Sequence, residues 1–209
     1  MKYIDQPGLL EQLLDERRIR QRFSTQGLDF QLVQFEKGEL LTAPHKPMDA
    51  LLFLARGRVS IYGLREDGSS FSVFLAGQDV LLGDMEFIRR ETLPFFTEAL
   101  DRVLCVALPV ERYRPLLEAD ARFLRALLRT VSDKFMMFTL LENPAQPLEE
   151  KLLALLRTIQ PDHILHGINT GTLQLHCSRA QLQRVVRKLC QEGVLRKLGK
   201  GEYQLRQDR

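Results

Sequence analysis

The feature that most constrains this chain is a change of period at Pro109. Upstream, residues 30–109 hold short apolar runs parted by turn residues. LVQF leads to Lys37-Gly38, ALLFLA to Arg56-Gly57, VSIYGL to Glu66-Asp67-Gly68-Ser69 and FSVFLA to Gly77-Gln78-Asp79. VLLG follows, and VLCVAL ends at Pro109. Strands of about 5–6 residues at spacings of roughly 8–12 predict an all-β sandwich or small barrel. Asp67-Gly68 is a hairpin signal. Downstream, residues 120–142 contain neither Gly nor Pro. Within them Leu124, Leu128, Val131, Phe135 and Phe138 recur at steps of 4, 3, 4 and 3, the spacing of a two-stranded coiled-coil seam. A second stripe, Phe123, Leu127, Met137 and Leu141, flanks the first. One stripe alone would fit a helix docked on its own domain. Two stripes fit a helix that covers its own domain and a partner helix, so a dimerisation helix is expected.

The flanks add detail. Leu9, Leu10, Leu13, Leu14 and Ile19, with charges between them, predict an amphipathic helix over residues 9–23. A short helix carrying Tyr113 and Leu116 is expected over 110–117. Asn143-Pro144-Ala145-Gln146-Pro147 breaks the long helix and reads as a hinge. A helix resumes over 148–159, and TLQLH at 172–176 alternates like a strand. Ser178 is an N-cap candidate for a helix running to Gln191, with Leu182, Val185, Val186 and Leu189 on one face and Gly193 as the closing glycine. VLRKLGKGEYQL then reads as a hairpin around Gly199-Lys200-Gly201. Helix, strand, helix and a basic-tipped hairpin outline a winged helix.

Charge is uneven along the chain. The net charge is +3, but residues 171–209 carry nine basic and three acidic residues, leaving the rest at −3. A basic module on a mildly acidic body fits nucleic acid, or a solvated basic helix. The three cysteines, Cys105, Cys177 and Cys190, form no disulfide framework and are one short of a four-thiolate iron–sulfur set. No apolar stretch reaches the ~18 residues of a membrane span, and the N-terminus lacks a leader pattern. A soluble, reduced, cytoplasmic chain is expected. His163, His166, His176 and Cys177 have no spacing that a metal would require. Cys105 lies in VLCVAL and reads as a packed apolar side chain, whereas Cys177 abuts a helix start, a setting that lowers a thiol pKa. No phosphate loop, G-x-S-x-G or nucleophile–base pairing is present, and His45 is the sole histidine in the β region, too few for a cupin-type metal set. Neither an enzyme, a metal nor a cofactor is expected.

The order of parts resembles the cyclic-AMP receptor protein/FNR (Crp/Fnr) family of bacterial transcription regulators, and the middle is most similar to its YeiL type. The resemblance rests on Gly38, LLFLARGRVSIYGLREDGSSFSVF, AGQDVLLGDMEFI, VLCVALPVERYRPLLEADARFLRALL and CSRAQLQRVVRKLCQEGVL. It implies an α+β chain: a double-stranded β-helix (jelly-roll, cyclic-nucleotide-binding-like) sensor at 1–117, a dimerisation helix at 118–142 and a winged-helix-like DNA-binding domain at 143–209. It further implies a homodimer, double-stranded DNA as partner and a small-molecule effector.

Two departures qualify that expectation. Members that bind cyclic nucleotide open their binding segment with Gly-Glu and place an Arg about ten residues on. Here Gly83-Asp84 matches the opening, but the later stretch reads Leu93-Pro94-Phe95-Phe96, with no Arg. Losing a charge-assisted phosphate contact costs several kcal/mol, so cyclic-AMP control is not expected. Gly83, Asp84 and Phe95 remain pocket candidates for an unknown ligand. The second departure is the reader. Only one helix is expected between Ser178 and Gln191, which implies a shortened helix-turn-helix. If that helix reads DNA, Arg179, Gln181 and Arg184 are the base-contact candidates, and Lys188, Lys197 and Lys200 the phosphate contacts. The alternative is a degenerate member, a ligand-binding or protein-interaction module that no longer reads DNA.

Overall fold

The computed structural model describes all residues except 78–79, 143–145, 161, 176 and 207–209. The chain divides into two compact units, Met1–Asp133 and Lys134–Arg209. The first opens with strand β1 (Lys2–Ile4), helix α1 (Pro7–Glu16) and a 3-10 turn (Arg20–Arg22). Strands β2 (Gln31–Phe35), β3 (Leu40–Thr42), β4 (Ala50–Arg56), β5 (Val59–Leu64), β6 (Ser70–Ala76) and β7 (Leu81–Leu82) follow. Helix α2 (Asp84–Arg89), strands β8 (Phe96–Ala99) and β9 (Val103–Pro109), helix α3 (Val110–Ala119) and the residues up to Asp133 of helix α4 (Ala121–Glu142) complete the series. The strands form two antiparallel sheets, ordered β1-β2-β9-β4-β7 and β3-β8-β5-β6.

Why VLCVAL is an unbroken apolar run is plain from its neighbours. Val103, Cys105 and Ala107 fill the space between the two sheets with Leu52, Leu54, Phe35 and Val59. Leu104, Val106 and Leu108 point the other way, against Leu13, Leu14, Ile19, Leu117 and Phe123. A strand covered on both faces has no polar side to alternate with. The β5–β6 hairpin forms where Asp67-Gly68 predicts it. Gly68 takes φ 81°, and Asp67 Oδ1 accepts from Ser69 N at 2.8 Å and Ser69 Oγ at 2.6 Å.

The first helix is shorter than its sequence pattern suggests. It ends at Glu16, and Ile19 N donates back to Leu14 O at 2.9 Å across Arg18, which takes φ 49°. Ile19 still reaches the core because the turn, rather than the helix, delivers it. On α4 the two stripes separate. Phe123 and Leu127 are buried, whereas Leu128 and Phe135 are 67% and 68% exposed and Leu124 and Val131 are partly covered. The side chains of Phe138, Met137 and Leu141 lie outside the described residues, as does the hinge at 143–145.

The second unit contains α5 (Leu148–Ala154), continued by a π-type turn (Leu155–Ile159), then β10 (Ile164–His166), α6 (Ile168–Gln174), α7 (Arg179–Gln191), β11 (Leu195–Gly199) and β12 (Glu202–Leu205). The sheet order is β10-β12-β11, antiparallel throughout. Two sequence expectations fail here. Residues 172–174 are helical rather than a strand, and α7 is not the only helix between residues 168 and 191. Thr172 lies inside α6, which meets α7 across a short turn, so the unit holds both helices of a helix-turn-helix followed by a wing. The helix was illegible because it has seven residues, among them Asn, Gly and two Thr, all weak helix formers. Packing decides the matter: Ile168 and Leu175 join Leu165, Leu182 and Leu205 in the core. Gly171 is the point of closest approach. A Cβ there would stand 2.8 Å from both Leu165 Cδ1 and Leu182 Cδ2.

Asp120 ties the start of α4 to a loop 95 residues earlier. Its Oδ1 accepts from Arg122 N and Phe123 N, each at 3.0 Å. Its Oδ2 accepts from Ser24 N and Thr25 N at 2.7 Å and from Thr25 Oγ1 at 2.8 Å. Burial acts to raise the carboxyl pKa, but the hydrogen bonds from Phe123, Thr25 and Ser24 outweigh it and hold the group at about 2, below its ordinary 3.8. A depressed pKa favours the folded chain above pH ~4, and that gain fades as the pH falls from the unfolded value through the folded one. Asp120→Asn should cost about 2 kcal/mol at pH 5. In urea titrations the gap from wild type should narrow to about half by pH 3; a gap constant with pH would contradict this.

Candidate nucleic-acid interface

Helix α7 is built to hold one face out. Ser178 Oγ accepts from Gln181 N at 3.2 Å, and Gln181 Oε1 accepts from Ser178 N at 2.8 Å, a reciprocal capping box. At the far end Gly193 takes φ 75°, and Val194 N donates to Leu189 O at 2.9 Å, the Schellman closure that a glycine permits. Leu182, Val186 and Leu189 are buried. At about 100° per residue, the opposite face presents Ala180, Arg184, Arg187 and Gln191, all exposed. Among the described residues neither Arg184 nor Arg187 forms an ion pair or side-chain hydrogen bond.

The other candidate contacts stand elsewhere. Arg179 lies on the flank facing α6, where its Nη1 donates to Asn169 Oδ1 at 2.7 Å; it does not stand beside Arg184. Gln181 is exposed, but its carbonyl oxygen is committed to the cap. A bidentate adenine contact needs that oxygen as well as the amide nitrogen. Lys188 Nζ pairs with Glu149 Oε2 of α5 at 2.6 Å and lies 3.8 Å from Glu192. Both carboxylates hold its ammonium pKa above the ordinary value. Lys197 and Lys200 are exposed on the wing, the latter at its tip beside Gly201, whose φ is 83°. Arg187 and Gln191 share the outward face of α7 and were not among the sequence candidates. The signal was available, since they follow Arg184 at steps of 3 and 4 on a helix whose buried face was already identified.

The described histidines of this unit are held by local contacts. His163 Nδ1 lies 2.8 Å from Leu156 O, and His166 Nε2 lies 2.6 Å from Asp162 Oδ2. His176 lies outside the described residues, and among those described no three His, Cys, Asp or Glu are grouped to hold a metal. The expected lowering of the Cys177 thiol is reversed. Its side chain packs against the core, and burial raises its pKa despite the nearby Lys151. Cys105 is fully buried and pushed up to about 12, as a packed apolar side chain should be.

In the first unit, Gly83 stands just before α2 with φ 87°. A Cβ there would meet Ala50 O at 2.8 Å and Met48 Cε at 2.9 Å, so only glycine fits. Asp84 is buried and Phe95 half-buried. The two arginines near the missing phosphate position are engaged. Arg89 pairs with Glu91, and Arg90 Nη2 pairs with Glu118 Oε1 of α3 at 2.7 Å.

Residues 32–120 match the family described as "Cyclic nucleotide-binding domain". The regulatory protein YeiL of Escherichia coli O157:H7 is 28% identical over 176 residues, covering 83% of this chain and 80% of YeiL. Among solved structures, FixK2 from Bradyrhizobium japonicum superposes with a TM-score of 0.69 at 15% identity, over 86% of this chain and 94% of its own. A CRP/FNR-family transcriptional regulator from Thermus thermophilus gives 0.60 at 20% identity, over 84% and 93%. Residues 32–120 thus match a cyclic nucleotide-binding domain, and the fold is similar to that of CRP/FNR-family regulators. The chain is similar to YeiL, and the proteins named here that it resembles are described as regulators. Among the described residues no helix is long and apolar enough to cross a membrane.

Proposed function

We propose that this chain is a DNA-binding transcription regulator that works as a homodimer and is not controlled by cyclic AMP. The observation that carries the reading is the outward face of α7. Arg184 and Arg187 stand there without intramolecular partners among the described residues, followed on the chain by a wing tipped with Lys200. Arginine is suited to the bidentate contact with guanine, and wing lysines to phosphates. Arg179 would act by bracing α6 against α7, and Lys188 by joining α5 to α7, rather than by touching DNA. Those two diverted charges, with the capped Gln181, favour the second reading, a module that no longer reads sequence. Genomic selection with the purified protein separates the two, because a reader enriches a motif. On that motif Arg184→Ala should cost about 1–3 kcal/mol and relax one base position. Lys200→Ala should weaken all sequences alike and lower the salt slope by about one. Absence of an enriched motif would leave only the second reading.

Dimerisation is supported by the exposed seam. Leu124, Leu128, Val131 and Phe135 form a stripe of which two members are about two-thirds exposed, a poor state for large apolar side chains in water. A second copy of α4 would cover them at coiled-coil spacing. The double variant Leu128→Glu, Phe135→Glu should sediment as a monomer and lose tight binding to two-half-site DNA. A dimer surviving both charges would count against this seam.

For the roll, the support is the pairing of Arg89 and Arg90 with carboxylates and the absence of another arginine between Glu91 and Phe96. A cyclic phosphate would lack its counter-charge. Calorimetry with cyclic AMP and cyclic GMP should detect no binding in the micromolar range; micromolar affinity for either would refute this part.

A further inference from the structure

A cleft of about 500 Å³ opens in the first unit between the end of α1 with its following turn and the first turns of α4. Six arginines line it: Arg17, Arg18 and Arg22 from one side, Arg122, Arg125 and Arg129 from the other. Its sole acidic lining residue is Glu16, and Gln21 is the other polar one. Such a concentration is not a by-product of composition, because the sequence outside 171–209 is net acidic.

Three features of the cleft work against the free chain. Arg122, Arg125 and Arg129 are spaced at 3 and 4 along α4 and share one face, a like-charge arrangement that destabilises a helix. Arg122 also sits in the first turn of α4, where the helix dipole disfavours cations. Asp120 caps that end, but its carboxylate is committed to five hydrogen bonds. Among the described residues Arg18, Arg122, Arg125 and Arg129 form no ion pair. Finally, Arg18 occupies the left-handed closing position of α1, φ 49°, where glycine would be unstrained. An arginine kept at a glycine position, beside like-charged arginines kept on one helix face, indicates a ligand that offsets both costs.

We infer that this cleft binds a small, phosphate-rich effector, a polyanion of nucleotide size. Guanidinium groups match phosphate oxygens two at a time. The volume exceeds what a bare phosphate fills, and Glu16 and Gln21 supply acceptor and donor groups for the rest of such a molecule. A concave site containing a carboxylate suits a small molecule better than a nucleic-acid backbone. The cleft is formed by α1 and α4, apart from the Gly83–Asp84 segment, so effector binding here would not depend on the roll's ligand position.

Calorimetry on the full-length protein with ATP, GTP and inorganic tripolyphosphate, at physiological salt, tests this. At least one should bind with micromolar affinity, and Arg125→Gln, Arg129→Gln should weaken it at least tenfold. Arg18→Gly is the sharper variant. It should keep or raise the melting temperature, because it relieves backbone strain, yet weaken the same binding. Arg184→Ala, on α7, should leave binding unchanged, which keeps this site distinct from the DNA reading. Failure of all three probes to bind would overturn the proposal, as would binding indifferent to the cleft variants. So would a cleft that binds only duplex DNA, lost in the double variant.

Discussion

Strand β9 is the element that the first unit cannot do without. It lies at the centre of the five-stranded sheet, and its successive side chains enter two different cores. Val103, Cys105 and Ala107 close the roll, and Leu104, Val106 and Leu108 hold the helical layer. Burial of each large apolar side chain contributes about 1.5–3 kcal/mol, so this one strand anchors both layers at once. It also fixes where α3 begins, since Val110 N donates to Asp49 O at 2.7 Å directly after the strand ends. From α3 the chain reaches Asp120 and the start of α4, and hence the placement of the exposed seam and the arginine cleft. A single register error in β9 would exchange the two cores and undo everything downstream.

The strands were legible in sequence because both cues were local: unbroken apolar runs and turn residues between them. The hairpin at Asp67-Gly68 and the helix from Ser178 to Gln191 were legible for the same reason, since their turn and cap chemistry sit within a few residues. What could not be read depended on distance. Helix α6 exists because Leu165 and Leu182 close over Gly171, and its own residues argue against it. Its short span gave TLQLH the look of a strand, and the mistaken single-helix reader followed from that. Site residues divide along the same line. Arg184 is on the outer face by periodicity alone. That Lys188 meets Glu149, or that Arg179 meets Asn169, required the folded arrangement of α5, α6 and α7.

Charge carries a similar lesson. A tally by segment placed the basic character in the last forty or so residues and left the body mildly acidic. The fold shows that sign and location differ. Much of the acidic body is used in surface pairs, such as Arg58 with Asp101 and Arg90 with Glu118. Exposed pairs of this kind contribute little stability, but they leave unbalanced whichever arginines have no neighbour. In the first unit six arginines gather from two segments, one closing α1 and the other opening α4, far apart in sequence.

The Asp120 carboxylate has a consequence for how the chain is made. It joins Thr25 to the start of α4 across 95 residues, and every strand of the roll from β2 to β9 lies between. Contacts of that sequence separation form late, after the intervening chain has lost its freedom. On a ribosome the amides of Ser24 and Thr25 emerge long before their acceptor, so the cap closes over a roll that has already been threaded. The long helix is therefore fastened to the roll last, and a chain interrupted before Asp120 has nothing to fasten.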